Sequence, residues 1–203
     1  MQTSKDYIKA RILKEATKLF LTKGYMKVSM RQIATKAEVS LSNIYNYYHG
    51  KNELFLEAVK PVINEFEQML HKHHGHCGKD IMLMQSESYL REVIDEYITI
   101  IQKHRTRLKL LFFHAQGSSL ENFKEDFTER STALVKEYFN HMKQIHPDLN
   151  INVSDFFIHL HTVWMFTLFE ELIMHRIKPD RIEQIIKEYL TFEVTGWREF
   201  MKI

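Results

Sequence analysis

Residues 29–51 read SMRQIATKAEVSLSNIYNYYHGK, two short helix signals packed around a tight turn. Ser29 can cap a helix, Gln32 three positions later completes a capping box, and Ile33, Ala34 and Ala37 supply a narrow apolar stripe. Glu38 and Val39 make the turn. Ser40 or Leu41 opens a second helix in which Leu41, Ile44 and Tyr48 can point inward, while Ser42, Asn43, Tyr45, Asn46 and Tyr47 cover the outer faces. A face of this kind suits a nucleic-acid groove.

The residues on either side make the pattern specific. AxxLFxxKGYxxVSMRQIAxxAxVSxSxIYxYYxxKxEL runs from Ala16 through Phe20, Gly24, Tyr25, Ile33, Ala34, Ala37, Val39, Tyr45 and Lys51 to Leu54. It resembles the DNA-binding head of the TetR family of transcriptional regulators, with the glycine, the tyrosine, the alanine pair and the terminal lysine in order and without gaps. The resemblance covers about residues 8–55. It implies a homodimer with an all-helical body, a small ligand in that body, and release from a double-stranded DNA operator when the ligand binds. It also places Ser29, Arg31, Tyr45 and Lys51 where backbone phosphates are held, and Leu41, Ser42, Asn43, Asn46 and Tyr47 on the groove side. Phosphate contacts set register and base contacts set sequence; Asn43 or Asn46 can pair with adenine, and Leu41 can meet a thymine methyl. Tyr47 and Tyr48 also read as packing residues. One head reads few base pairs, so useful affinity needs two heads spaced roughly 34–36 Å apart on a palindromic site.

Charge is partitioned to match. Residues 1–51 hold ten Lys or Arg against three Asp or Glu, a net +7, which leaves −5 for the remainder of a chain whose total is +2. A basic head attracts the phosphate backbone and releases counterions, whereas an acidic body is repelled by it. The 203 residues, 44% of them hydrophobic, suffice for a helical core. The single cysteine, Cys77, excludes an intramolecular disulfide, and no apolar run preceded by charge reads as a signal peptide, so a reducing cytoplasm is expected. The apolar run from Phe156 to Phe169 is interrupted by His159, His161 and Thr162, and no membrane span is expected.

Along the chain, Ile8, Ile12, Leu13, Ala16, Leu19 and Phe20 mark a first helix over 5–22, stopped by Gly24. A longer amphipathic helix follows from Lys51 to about Lys72, and Pro61 inside it predicts a kink or a break. HHGHCGKD at 73–80 reads as a linker. Further helices are expected from Ser86 to about Lys103, in a short segment from Leu108 to His114, from Leu120 to about Ile145, from a cap at Asn152 or Ser154 to about His175, and from Pro179 onward. No stretch alternates with the period of a strand. The expected fold is therefore all-α, with about nine helices: a three-helix head over 1–50 containing the helix-turn-helix, and a helical effector-binding and dimerisation body over 51–203. The last two helices, apolar on more than one face, are the candidates for a four-helix interface with a second subunit.

A ligand pocket in such a body would be apolar and aromatic with a few polar points. Phe66, Met69, Tyr97, Ile101, Phe112, Phe113, His114, Phe139, His161, Trp164, Met165 and Leu168 fall on inward faces and point to an apolar or aromatic effector. The cluster His71, His73, His74, His76 and Cys77 admits a second reading, a helical metal-sensing or metal-binding protein. Its spacing argues against a dedicated site, because only His71 and His74 share a helical face. No metal and no cofactor is expected. HExxH, a phosphate-cradling glycine loop and a nucleophile elbow are all missing from the sequence, so the chain does not read as an enzyme.

Overall fold

The computed structural model describes residues 4–203, which form eight α-helices and one 3-10 turn, with no strand among the described residues. The helices are α1 (Ser4–Lys23), α2 (Met30–Lys36), α3 (Leu41–Tyr45), α4 (Lys51–His74), α5 (Glu87–Phe113), α6 (Phe123–Ile145), α7 (Asp155–Met174) and α8 (Pro179–Met201), and the 3-10 turn spans Ile81–Gln85. The all-α class holds, and the count is eight rather than nine for one reason. The break anticipated after Lys103 exists as non-helical geometry at His104 (φ −118°, ψ 16°), but the chain re-enters the helix at once, so the segment around Leu108 continues α5. Pro61, by contrast, sits inside an unbroken α4.

Compactness divides the chain differently from a continuous split at residue 50. One unit comprises Met1–Ile63 with Thr106–Phe123, and the other Asn64–Arg105 with Lys124–Ile203. Both α4 and α5 therefore pass from one unit to the other.

The first unit is organised around an aromatic triad. Phe20, Tyr25 and Phe55 lie 5.3–5.9 Å apart by ring centroids, with Phe55 edge-on to both partners. Gly24 makes this possible: its φ of +77° is a left-handed conformation that ends α1, and its N–H donates to the Phe20 carbonyl at 2.9 Å. The segment after α5 is tied to the same unit by Tyr25 N–H donating to the His114 carbonyl (3.0 Å) and by the Asn52 side chain bonding both the hydroxyl and the amide of Ser119. Gly117 is confined twice over, by a φ of +80° and by a Met26 Cγ that an added Cβ would meet at 2.6 Å.

The second unit buries Phe66 completely, with Phe127, Phe166 and Phe169 edge-on to it at 5.5–5.9 Å; Tyr97 stacks on Phe169. Arg105 donates to the Leu172 carbonyl in the last turn of α7 and to the Ile177 carbonyl just after it. Ser154 caps the start of α7. Contrary to the expectation from its interruptions, α7 is long and apolar enough, by length and composition, to cross a membrane. In the fold, one side of it (Ile158, Thr162, Met165, Phe166, Phe169, Leu172, Ile173) is core, whereas Phe156 and Trp164 are exposed. Phe192 and Phe200 are exposed on α8.

Candidate nucleic-acid interface and body cavity

The helix-turn-helix forms as its residues dictate. Ser29 Oγ accepts from the Gln32 N–H (3.3 Å) while Gln32 Oε1 accepts from the Ser29 N–H (3.0 Å), a complete capping box at the start of α2. The turn is closed by Val39 N–H donating to the Ala34 carbonyl at 3.1 Å, and Glu38 takes a φ of +51° there, a strained choice for a non-glycine residue. Arg11 of α1 donates to the Glu38 carbonyl at 3.4 Å and lies 3.9 Å from its carboxylate, which holds the turn in place. Ser40 caps α3 by accepting from the Asn43 N–H at 3.1 Å.

α3 is only five residues long, so its anchoring decides its orientation. Ile44 and Tyr48 are buried at 0% and 1% exposure, one turn apart on the inner side. Leu41, read as inward-pointing or groove-facing, is half-buried. The i,i+4 pairs Ser42/Asn46 and Asn43/Tyr47 flank the buried stripe, and Asn46 Nδ2 lies 3.4 Å from Asn43 Oδ1. Ser42, Tyr45 and Asn46 are exposed; Asn43 and Tyr47 are half-buried; Ser29 and Arg31 are exposed at the start of α2. The fold thus brings these eight residues to the α2–α3 surface. Lys51 is directed elsewhere: its Nζ donates to the Tyr25 carbonyl at 2.9 Å and sits 4.1 Å from the Tyr25 ring centroid, and burial holds its pKa below the usual lysine value.

The second unit encloses a cavity of about 160 Å³. Of the twelve pocket candidates, Met69, Tyr97, Phe139, His161 and Met165 line it. The other seven do not. Phe66 and Ile101 are consumed in packing, Trp164 is exposed, Leu168 lies off the lining, and Phe112, Phe113 and His114 belong to the first unit. Among the further polar groups on its lining are His74, Glu193 and Trp197.

His73 and His74 read as linker in the sequence, but α4 continues through them, because Gly75 rather than His73 is where the helix stops. His73 Nε2 lies 2.6 Å from Glu96 Oε2. Burial, helped by neighbouring His73 and His161, lowers the His74 pKa to about 3, and its Nδ1 has no hydrogen-bond partner. His71, His76 and Cys77 are exposed, so the five members of the histidine and cysteine cluster face different environments, and no group of three or more potential ligands converges among the described residues. Glu193 was legible in principle: it falls on the buried stripe Ile182, Ile186, Leu190, Val194 of α8, where an isolated acid is conspicuous.

With this geometry in view, residues 12–58 match the family model described as bacterial regulatory proteins, tetR family. The chain is 38% identical over 58 residues to the HTH-type transcriptional regulator HbdR of Aromatoleum sp. (strain CIB), covering 29% of this chain and 25% of that one. The curated relatives are matched over 25% and 48% of their length. Solved structures share the fold over nearly the whole chain. NalD of Pseudomonas aeruginosa, described as the secondary repressor of the MexAB-OprM multidrug efflux pump, superposes with a TM-score of 0.61 at 18% identity, covering 96% of this chain and 98% of NalD. FadR of Bacillus subtilis, solved in complex with stearoyl-CoA, gives 0.58 at 13% identity, covering 89% and 96%. The capped, basic helix-turn-helix head is thus similar in sequence to bacterial regulatory proteins of the tetR family over residues 12–58, and the all-helical body shares its fold with TetR-like regulators.

Proposed function

We propose that this chain is a sequence-specific DNA-binding transcriptional regulator, a repressor that leaves a palindromic operator when a small apolar or aromatic effector enters the body cavity. The observation that carries the reading is the α2–α3 surface, where Ser42 and Asn43 on a short helix and Asn46 and Tyr47 just after it are held by Ile44 and Tyr48. Ser29, Arg31 and Tyr45 would hold phosphates beside that helix, with Leu41 against a thymine methyl. Lys51 would act by fixing the Tyr25 segment. The exposed aromatics Phe156, Trp164, Phe192 and Phe200 on α7 and α8 support a homodimer through these two helices, since apolar surface of this kind is stabilised by a partner. Effector binding would shift the population between a form whose two heads match the operator spacing and one whose heads do not, at a differential affinity of a few kcal/mol.

The test is selection of a binding site from random duplexes, followed by fluorescence anisotropy on the selected and a scrambled duplex. A palindromic consensus with half-sites about one helical turn apart, bound at least a thousandfold more tightly than scrambled DNA, is the expected result. Equal affinity for both duplexes would refute it. The metal-sensing alternative is disfavoured by the divergent placement of His71, His73, His74, His76 and Cys77.

A further inference from the structure

The cavity in the second unit is apolar on most of its wall, and its polar groups are unevenly served. His161 Nε2 is approached by two neighbours at once: the indole Nε1–H of Trp197, which donates to it at 2.7 Å, and Glu193 Oε2. One imidazole nitrogen cannot accept from the first and donate to the second. If Nε2 carries the proton it serves Glu193 and the Trp197 N–H is orphaned; if it is bare it serves Trp197, and Glu193 loses its imidazole donor and keeps only the neutral Tyr189 hydroxyl beside it. A buried carboxylate without a cationic partner is the costlier of the two, and it is the one a ligand cation can satisfy.

Charge around the lining points the same way. Glu193 is 8% exposed, and after burial its negative charge is among the influences that hold the phenols of Tyr97 and Tyr189 protonated. Lys79 is the one ammonium among the described lining residues, and it is paired with Glu92. Asp80, also on the lining, is paired with His146 at 2.9 Å, and His73 with Glu96. No cationic lining group is left over for a ligand anion. The side of the cavity beside Glu193 is aromatic instead, with the Trp197 ring 5.1 Å from that of His161 and 6.0 Å from that of Phe139, faces that attract a cation. Size adds a limit: an apolar cavity of about 150 Å³ holds one benzene-sized group, and this one is about 160 Å³.

We infer that the cavity takes a compact, single-ring molecule bearing a positively charged nitrogen that meets Glu193, and that it discriminates against anionic amphiphiles of the same size. The inference rests on the reading of this cavity as the effector chamber and adds the chemical class of its occupant. A ligand ammonium donates to the Glu193 carboxylate, leaves His161 to accept from Trp197, and seats its ring among Phe139, Met165 and Val194.

The test uses three probes of nearly equal bulk, benzylamine, benzyl alcohol and benzoate, titrated calorimetrically into the full chain without DNA. The expected order is amine, then alcohol, then benzoate, with at least about a tenfold step between the amine and the alcohol, as a hydrogen bond between charged groups gives. In Glu193→Gln the amine should fall to the affinity of the alcohol while the alcohol is unchanged. Benzoate binding as tightly as benzylamine, no binding of any probe, or an amine affinity untouched in Glu193→Gln would overturn the inference. The wild-type series decides the matter even if the variant folds poorly. Because these titrations contain no DNA, their failure is separate from a failure of operator binding, which the duplex measurements report.

Discussion

On the proposed reading, Lys51 shapes the DNA-facing surface without touching DNA. A lysine at the start of α4, next to a basic helix-turn-helix, invites the phosphate reading, yet its ammonium is bonded to the Tyr25 carbonyl and packed on the Tyr25 ring. Lys51→Met keeps most of the aliphatic stem and removes the charge. A hydrogen bond from a charged donor contributes about 1.5–3 kcal/mol, and the ring contact about 0.5–1 kcal/mol at a partly exposed site. The residue is half-buried, and burial disfavours its charge, so the lower end applies and the net loss is about 2 kcal/mol. For a chain of this length that lowers Tm by roughly 4–8 °C. The circular-dichroism melt should show this shift. Anisotropy titrations between about 50 and 200 mM salt should show weaker DNA binding with an unchanged dependence of log K on log salt. If instead Tm is unaltered and the slope falls by about 0.9, one phosphate contact has been lost and the internal role assigned to Lys51 is wrong.

Other residues give simpler expectations. Asn43→Ala should relax preference at one base position by about 1–3 kcal/mol while leaving affinity for scrambled DNA intact, as competition against a set of single-base operator variants would reveal. Phe66→Ala opens a hole among Phe127, Phe166 and Phe169 and should cost about 3–5 kcal/mol in urea unfolding; a loss below 1 kcal/mol would contradict the packing described. His74 binds its proton more weakly folded (pKa about 3) than its ordinary value of 6.5, so the unfolded chain takes up more protons and stability drains away as pH falls from about 6.5 toward 3. Comparing urea midpoints at pH 7.5 and 5.5 for wild type and His74→Phe should show a smaller acid penalty in the variant.

The head was legible because its structure is made locally. The Ser29–Gln32 capping box, the Ser40 cap and the Gly24 stop each depend on residues within four positions of one another, and each formed where its spacing indicated. Helix existence in the body was equally plain from apolar periodicity. What the periodicity could not supply was which inward face meets a void and which meets another side chain: Phe66 and Met69 sit one turn apart on α4, yet the first is locked among three phenylalanines and the second lines the cavity. Nor could it distinguish a helix boundary from a kink, so a pause near His104 looked like an end and two glycines after His74 pulled the histidines out of the helix. The internal bond of Lys51 was hidden for a related reason, since sequence gives a lysine's place on a helix but not the carbonyl, 26 residues away, toward which it turns.

The brevity of α3 has a consequence for how such a protein can change. Five residues are too few to sustain a helix in water, so a peptide cut from 40–48 should be unstructured, and the helix is present only because Ser40, Ile44 and Tyr48 are held by the rest of the head. On the proposed reading, stability and base preference are therefore carried by different side chains on the same short segment. Positions 42, 43, 46 and 47 can be randomised together in a library while the anchors stay fixed, and the variants should melt within a narrow range yet select different operators. Redirecting the proposed regulator to a new operator would then be a matter of a few surface residues, with the scaffold left alone.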